Sequence, residues 1–307
     1  MSEQLASVPY PSAREVVTPR HAVRLGPRRF NPSRLGTMTV LVIFTIYFLI
    51  PFLWLIVAST KNQGDLYGTF GLWFAQSFNL FSNLQLLFTY DNSIYLTWLL
   101  NTVIYAGGGA LVGTFIASMA GYAIAKYIFP GRNVSFSLVL GAILVPSTVL
   151  ALPLYLLMSK VGLSNTYWSV LLPSMVSPFG VYLSRIYAAA SIPDELLEAS
   201  RIDGAGEFRT YTIAVRLMVP ALVTIFLFQF VGIWNNFFLP LVMLSNDRLF
   251  PITVGLQLWN ATSSGTHLFL TNLVVCGSLV SAIPLLIGCL ILQRYWRGGL
   301  GAGSVKG

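Results

Sequence analysis

A cluster of charged residues at 191–206 lies between two long apolar stretches of the chain. Pro193 suits the first turn of a helix, and the acidic residues directly after it favour the positive end of the helix dipole. Gly204 is a natural stop for the C-terminus of that helix. The pattern predicts a short amphipathic helix, followed by a glycine turn and a second helix that begins near Glu207.

The predicted helix has the composition of a docking element rather than of a catalytic one. One side would carry an apolar stripe and the other side charged residues. The stripe consists of Leu196, Leu197, Ser200 and Ile202, and the charged side of Glu195, Glu198 and Arg201. Such a helix can lie on the bilayer surface or bind a protein partner. An acidic cluster suits a protein better than anionic lipid, yet helix chemistry alone leaves both interpretations open.

The sequence holds no recognisable catalytic, nucleotide-binding or metal-binding pattern. A P-loop requires a lysine after a glycine, and none of the four lysines follows one. His21 and His267 stand alone, and Cys276 and Cys289 fall on nearly opposite sides of one apolar helix, so neither a zinc site nor a disulfide is expected. We therefore expect no catalytic residue, no bound metal and no cofactor in this chain.

The composition places the chain in a membrane. Hydrophobic residues make up 55% of it and charged residues only 9%, whereas an ordinary soluble domain carries about a quarter charged residues. A membrane-spanning helix needs about 20 mostly apolar residues. We predict an all-α integral membrane protein with six transmembrane helices, at about 36–58, 98–125, 134–158, 168–190, 214–236 and 268–292.

None of the six predicted spans contains Asp or Glu. Proton and sodium relays depend on ionisable groups inside the membrane, and an intramembrane enzyme would need catalytic ones there. A self-powered transporter and an enzyme are therefore disfavoured. The energy for transport must come from another subunit, or transport is passive.

The distribution of lysine and arginine predicts the orientation. With the N-terminus inside, only Lys61, Lys160 and Arg248 fall outside, which leaves 15 of the 18 basic residues on the cytoplasmic side. Both termini are then cytoplasmic, and the net charge of +8 is a topology signal that needs no nucleic-acid partner. We expect residues 1–35 to form a disordered basic cytoplasmic tail and residues 36–307 the transmembrane domain, with the loop at 191–213 inside.

Two outer loops, at about 59–97 and 237–267, are longer than the inner ones. They contain the aromatic residues Trp73, Phe74, Phe78, Phe81, Tyr90, Tyr95 and Trp259. Aromatic side chains at such positions can form an interfacial belt, or they can contact an extracytoplasmic partner.

The charged segment resembles the EAA loop of binding-protein-dependent ABC importer permeases, in which a Glu-Ala-Ala triplet precedes Asp-Gly-Ala. The corresponding residues here are Glu198-Ala199-Ser200-Arg201-Ile202-Asp203-Gly204-Ala205, with Ser200 in place of the second alanine. Further collinear stretches resemble the carbohydrate-uptake branch that includes the maltose-type permease subunits. They lie at 101–132, which ends in Phe129-Pro130-Gly131-Arg132, and at 153–167, 177–180, 234–237 and 293–307.

The resemblance implies the transmembrane permease subunit of an ATP-binding-cassette importer for a sugar or oligosaccharide, in the plasma membrane of a prokaryote. It implies as partners a second permease subunit, two cytosolic ATPase subunits that bind ATP and Mg, and an extracytoplasmic solute-binding protein, besides membrane lipid. The helix after Pro193 would be the coupling helix that sits in a cleft of an ATPase. The residues expected to couple to the ATPase are Glu195, Glu198, Ala199, Ser200, Asp203 and Gly204.

Five amide side chains in or near the spans are candidates for the translocation path, because amides can bind sugar hydroxyls. They are Asn101, Gln229, Asn235, Asn236 and Asn272. Hydrogen bonding between helices is the alternative role for each of them, and the resemblance implies that the companion permease supplies most of the substrate pocket. Glycerol-phosphate-like or other polar solutes are the alternative cargo, and a passive channel is the alternative class.

Overall fold

The computed structural model describes residues 32–263 and 269–301, and this part of the chain is helical, without a β-strand. The all-α prediction is confirmed for these residues. Of the predicted tail, residues 1–31 lie outside the described residues. The α-helices are, in chain order, α1 Pro32–Ser59, α2 Gln63–Gly68, α3 Leu80–Val103, α4 Gly109–Lys126, α5 Arg132–Leu144, α6 Ser147–Lys160, α7 Tyr167–Ser174, α8 Pro178–Ser191, α9 Asp194–Ile202, α10 Glu207–Leu217, α11 Val219–Trp234, α12 Phe238–Met243, α13 Ile252–Ser263 and α14 Phe269–Gly301.

Three helical stretches in the described part of the chain are long and apolar enough to cross a membrane. They are Leu35–Ser59, Leu80–Lys126 and Phe269–Gln293. Two bent helix pairs, α5 with α6 and α10 with α11, raise the number to five if each pair forms one span. The chain divides into two compact units, Met1–Ile50 and Pro51–Gly307. In the first unit, every described side chain from residue 35 to residue 50 is exposed.

Prolines break two segments that the sequence predicts as continuous spans. Within the predicted span 134–158, α5 and α6 meet at an angle of 104° beside Pro146. Within the predicted span 168–190, α7 ends at Ser174 and Pro178 begins α8. Proline lacks the backbone N–H that a continuing helix needs and disfavours a helical conformation in the residue before it. Hydropathy detects neither effect, because the residues on both sides of each break are apolar.

The predicted second and fifth spans begin at other residues in the structure. The second is preceded by a helix from Leu80, with a sharp turn at Asp91, Asn92 and Ser93, whose φ angles are all positive. The fifth was predicted from residue 214, but α11 begins at Val219 and makes an angle of 81° with α10. A π-helix at Ile104–Gly108 joins α3 to α4. The predicted outer loop at 59–97 therefore contains helical structure.

Close packing between α4 and α8 fixes the centre of the second unit. A β-carbon on Gly121 would lie 2.5 Å from the Ser184 β-carbon and 2.7 Å from the Arg185 backbone nitrogen, so only glycine fits there. Gly109 and Gly113 of α4 also meet close neighbours, whereas Gly107 faces open space.

We expect Gly121→Ala to lower the melting temperature of the purified permease complex. The added methyl group would overpack the contact between α4 and α8, which typically costs about 1–3 kcal/mol. Gly141→Ala is the matched control, because Gly141 lies in α5 with nothing within 4 Å of its β-position, and alanine favours a helix. Equal melting temperatures for the two variants would contradict the close packing assigned to Gly121.

Candidate functional site

The segment after Pro193 forms the helix that its sequence predicts. Helix α9 runs from Asp194 to Ile202, Pro193 precedes it in an extended conformation, and two acidic residues occupy its first turn. After Asp203 the chain enters the left-handed region at Gly204, where φ is +76°. The backbone N–H of Gly204 donates to Arg201 and that of Ala205 to Ser200. This is the Schellman arrangement, which satisfies carbonyls that the helix end would leave unpaired.

The faces of α9 differ from the prediction at one residue. Leu197 and Ser200 are buried and Leu196 is half-buried, as the predicted stripe requires. Ile202, however, is 86% exposed, because two residues beyond Ser200 the helix has turned by about 200°. The exposed residues of α9 are Asp194, Glu195, Glu198, Ala199, Arg201 and Ile202. They combine three acidic groups and one basic group with one small and one large apolar side chain.

The buried side of α9 packs against three other helices. Leu197 belongs to one apolar cluster with Tyr122, Ala188, Ile192, Tyr211, Ala214 and Met218. The Ser200 hydroxyl lies 3.0 Å from the Thr210 hydroxyl on α10 and 2.8 Å from the Leu197 carbonyl. The Ser118 hydroxyl on α4 lies 2.5 Å from the Tyr211 hydroxyl on α10. Helices α4, α8, α9 and α10 thus share one interior.

Lys126 ties the end of α4 to the start of α9. Its ammonium group donates to the Ile192 carbonyl at 2.6 Å and forms an ion pair with Asp194 at 2.7 Å. The Lys126 side chain is only 8% exposed. The Asp194 side chain is 77% exposed, so water screens the pair from that side. The N-terminus of α9 is therefore attached to α4 as well as to α8.

Glu207 ties the other end of the segment to α4. Its carboxylate accepts a hydrogen bond from the Tyr127 hydroxyl and pairs with the Arg201 guanidinium at 3.3 Å. The hydrogen bond from Tyr127 is the larger cause and the contact with Arg201 the smaller one, and together they hold the pKa of Glu207 below its usual range. The stabilisation from this carboxylate is therefore present at pH 7 and is lost as the pH falls through the lowered pKa.

Sequence reasoning missed the residues that attach α9 to its surroundings. Lys126 and Asp194 are 68 residues apart, and Tyr127 and Glu207 are 80 apart. No local pattern signals such pairs. A weak signal exists at Ser200, because a hydroxyl in place of alanine on a buried helix face requires a hydrogen-bond partner.

Of the five amide side chains predicted near a translocation path, Asn101 is bound entirely within the protein. It donates to the carbonyls of Arg248 and Phe250, at 2.8 and 3.0 Å, and accepts from the Tyr167 hydroxyl at 2.7 Å. Asn272 is also buried and donates to the Lys61 carbonyl at 3.2 Å, while its own side-chain oxygen is buried without a partner among the described residues. These two side chains hold loops and helix ends together.

The other three candidates lie on or just after α11. Gln229 donates to the Ser174 carbonyl at 3.0 Å, while its own side-chain carbonyl is buried without a hydrogen-bond partner among the described residues. Asn235 is exposed and donates only to Val231 in its own helix. The Asn236 side chain accepts from the Leu239 backbone. The structure thus distributes the five amides over separate positions rather than gathering them into one site.

An apolar groove of about 380 Å³ lies between α4, α10 and α11. Its lining includes Leu111, Phe115, Phe208, Val219, Leu222 and Phe226. The Thr114 hydroxyl at the groove is buried without a described partner. In the described part of the chain, no group of three His, Cys, Asp or Glu residues is placed to hold a metal ion.

Comparison with known proteins matches most of the chain to one protein family. The profile of the family described as binding-protein-dependent transport system inner membrane component matches residues 109–296. The chain belongs to this family. It is therefore a multi-pass inner-membrane protein, the permease subunit of an ABC importer, and its family implies a partner permease, an ATPase and a binding protein.

Individual relatives cover almost the whole chain. The arabinooligosaccharides transport system permease protein AraQ of Halalkalibacterium halodurans is 35% identical, over 91% of this chain and 99% of the relative. AraQ of Bacillus subtilis is 32% identical, over 91% and 98%. A solved chain of a bacterial ABC transporter involved in import of the acidic polysaccharide alginate matches with a TM-score of 0.75 and 21% identity, covering 88% of this permease and 99% of that chain. This last likeness shows the fold.

We expect Gly204→Ala to weaken the turn after α9, because a β-carbon in the left-handed region costs about 1–2 kcal/mol. Gly204→Asn should be milder, since asparagine tolerates this conformation. Gly206→Ala is the matched control, because Gly206 has an ordinary φ of −70° and nothing within 4 Å of its β-position. Limited proteolysis of the loop should rise in the order Gly206→Ala, Gly204→Asn, Gly204→Ala, and equal rates would contradict the assigned turn.

Proposed function

We propose that this permease subunit imports a sugar, most specifically an oligosaccharide. The proposal rests on the family and on the names of the two AraQ relatives, which transport arabinooligosaccharides and align over nearly their full length. The chain itself would be non-catalytic and hold no cofactor. ATP and Mg would be bound by two cytosolic ATPase subunits, and an extracytoplasmic solute-binding protein would deliver the sugar to this subunit and a second permease.

The proposed topology has six spans with both termini in the cytoplasm. Residues 1–35 form a basic cytoplasmic tail, and residues 36–307 form the transmembrane domain. The bent pairs α5–α6 and α10–α11 supply the third and fifth spans, and α7 with α8 supplies the fourth. Breaks of this kind are tolerated in a membrane where neighbouring helices satisfy the freed backbone groups. The coupling loop at 191–213 is then cytoplasmic, in agreement with the excess of basic residues on that side.

The observation that carries the mechanism is the exposed acidic side of α9 on a helix whose other side is buried. Glu195, Glu198 and Ala199 would contact a cleft of the ATPase, with the charges facing basic groups and alanine allowing close approach. Ile202 adds an apolar contact that the sequence alone assigns to the buried stripe. Ser200, Asp203 and Gly204 would act indirectly, by fixing α9 against α10 and ending it.

The contacts of α9 determine which other helices would move if the ATPase displaced it. Lys126 and Glu207 join both ends of the segment to the end of α4, and the shared apolar cluster joins it to α8. A displacement of α9 would therefore move the second, fourth and fifth spans together. Such movement of a rigid unit can switch a cavity between its two openings.

Among the amide side chains, Gln229, Asn235 and Asn236 remain our candidates for the translocation path. Gln229 has a carbonyl oxygen without a described partner, and Asn235 is exposed. Asn101 and Asn272 would support the path indirectly by fixing loops. A path lined mainly by apolar side chains agrees with a companion permease that supplies most of the sugar-binding groups.

We expect Glu198→Lys to reduce ATPase co-purification and sugar-stimulated ATP hydrolysis, because the new charge would oppose basic groups in the cleft. Loss of a hydrogen-bonded charge pair at an interface typically costs 2–5 kcal/mol, which is about a 30-fold or greater loss of affinity. Asn133→Lys is the control, since Asn133 is exposed at the start of α5 and outside the coupling loop. Unchanged hydrolysis and uptake in the Glu198 variant, at normal abundance in the membrane, would refute the coupling role.

The sugar assignment is tested separately, with the cognate solute-binding protein. We expect thermal-shift screening of that protein to give stabilisation by oligosaccharides, and the same sugars to stimulate ATP hydrolysis by the complete transporter in liposomes. Glycerol phosphate and polyols form the comparison set. Stabilisation and stimulation by that set alone would refute the sugar assignment and leave the coupling mechanism intact.

A further inference from the structure

Residues 66–81, which we name the outer aromatic segment, expose a row of large aromatic side chains. Phe70 is 73% exposed and Trp73 is 70% exposed. The whole exposed set is Tyr67, Phe70, Trp73, Phe74, Phe78 and Phe81. An exposed apolar surface of this kind marks contact with a partner or with a membrane.

Several polar groups of this region hydrogen-bond to one another, while Thr69 and Gln76 are exposed. Lys61 is only 1% exposed, and its ammonium group donates to the Thr69 hydroxyl at 2.9 Å and to the Phe70 carbonyl at 2.7 Å. The Ser77 hydroxyl donates to the Asp65 carboxylate at 2.6 Å. The buried Lys61 thus binds acceptors of the segment from within while the rings face outward, an arrangement that suits a surrounding of low dielectric constant.

The same hydrogen bonds fasten the segment to the ends of two candidate spans. The Asn79 backbone donates to the Thr60 carbonyl at 2.8 Å, next to the end of α1. The Tyr67 hydroxyl donates to the Thr271 hydroxyl at 3.2 Å, in the first turn of α14. The segment thus has a fixed level relative to the ends of both helices.

Part of the segment lies alongside α1 rather than beyond its end. A β-carbon on Gly71 would lie 3.5 Å from the indole nitrogen of Trp54. Trp54 precedes Ser59, the last residue of α1, by five residues, or about 7.5 Å along the helix. The apolar run begins at Leu35, and about 20 helical residues cross the hydrocarbon core, so that the run reaches the far boundary of the core near Trp54.

The charge pattern distinguishes between lipid and protein as the contact. Between Asp65 and Asp91 the sequence contains no Asp, Glu, Lys or Arg, and the nearest cation, Lys61, is buried. Protein-binding patches carry a polar rim and are enriched in arginine, whereas aromatic side chains without charge are typical of the membrane–water interface. We propose that the outer aromatic segment lies in the outer interface of the bilayer and contacts lipid, held at that depth by Lys61.

This inference rests on the topology proposed above, and its test separates the two. Nitroxide labels are placed on single cysteines in the complete transporter, in a Cys289→Ser background, because Cys276 is fully buried. The test positions are Phe70→Cys and Trp73→Cys. The references are Leu41→Cys, exposed in the apolar part of α1, and Ser245→Cys, exposed in the loop after α12.

The ratio of collision rates with oxygen and with a water-soluble nickel chelate reports depth. In nanodiscs of zwitterionic lipid we expect the ratios at positions 70 and 73 to lie between that of Leu41→Cys and that of Ser245→Cys. A ratio equal to that of Ser245→Cys would refute the proposal. Labels shielded from both oxygen and nickel would also refute it, in favour of contact with a protein subunit. Reaction of Ser245→Cys with an impermeant thiol reagent on intact cells tests the topology independently.

Two further comparisons test the role of charge and of Lys61. Exchange of half of the lipid for an anionic one should leave the ratios unchanged, because the segment has no free cation, and a marked deepening would contradict contact through uncharged rings. Lys61→Met should raise nickel accessibility at Phe70→Cys, since the Thr69 hydroxyl and the Phe70 carbonyl lose their donor. Lys160→Met, at an exposed lysine, is the control, and an equal ratio in both variants would refute the anchoring role of Lys61.

Discussion

The contact between α4 and α8 is the interaction on which the rest of the structure depends. Gly121 lets the two helices approach so closely that even one additional carbon atom does not fit. Because α8 leads into α9 and α4 ends at Lys126, this contact determines where α9 lies. The ion pair of Lys126 with Asp194 is possible only because the two helix ends have already been brought side by side.

The polar side chains of this apolar chain serve mainly to fasten ends and loops. Asn101 binds carbonyls of the segment before α13, and Asn83 binds the carbonyls of Ser59 and Lys61 at the end of α1. A buried amide that satisfies backbone carbonyls costs less than one left for a substrate, since unpaired polar groups are expensive inside a membrane. A permease built in this way presents few polar groups of its own to a sugar.

The region around α9 and the region around Lys61 expose different kinds of side chain. Around α9, charged residues form ion pairs with one another and leave acidic side chains exposed. On the side of Lys61, the one described cation nearest the aromatic segment is enclosed, and uncharged rings face outward. The proposed topology accounts for the difference, because charges are stable in water and aromatic rings are stable at the boundary of the bilayer.

The sequence alone determined the membrane class, the helical fold of the described residues and the short helix between Pro193 and Gly204. All of these depend on local signals: apolar runs, a proline, acidic residues in a first turn and a glycine that accepts positive φ. Tertiary structure decided the bend at Pro146, the exposure of Ile202, the pairing of Tyr127 with Glu207 and the burial of Lys61. These depend on contacts between residues far apart in the chain, or on which side of a helix packs against a neighbour. The local sequence pattern does not encode either.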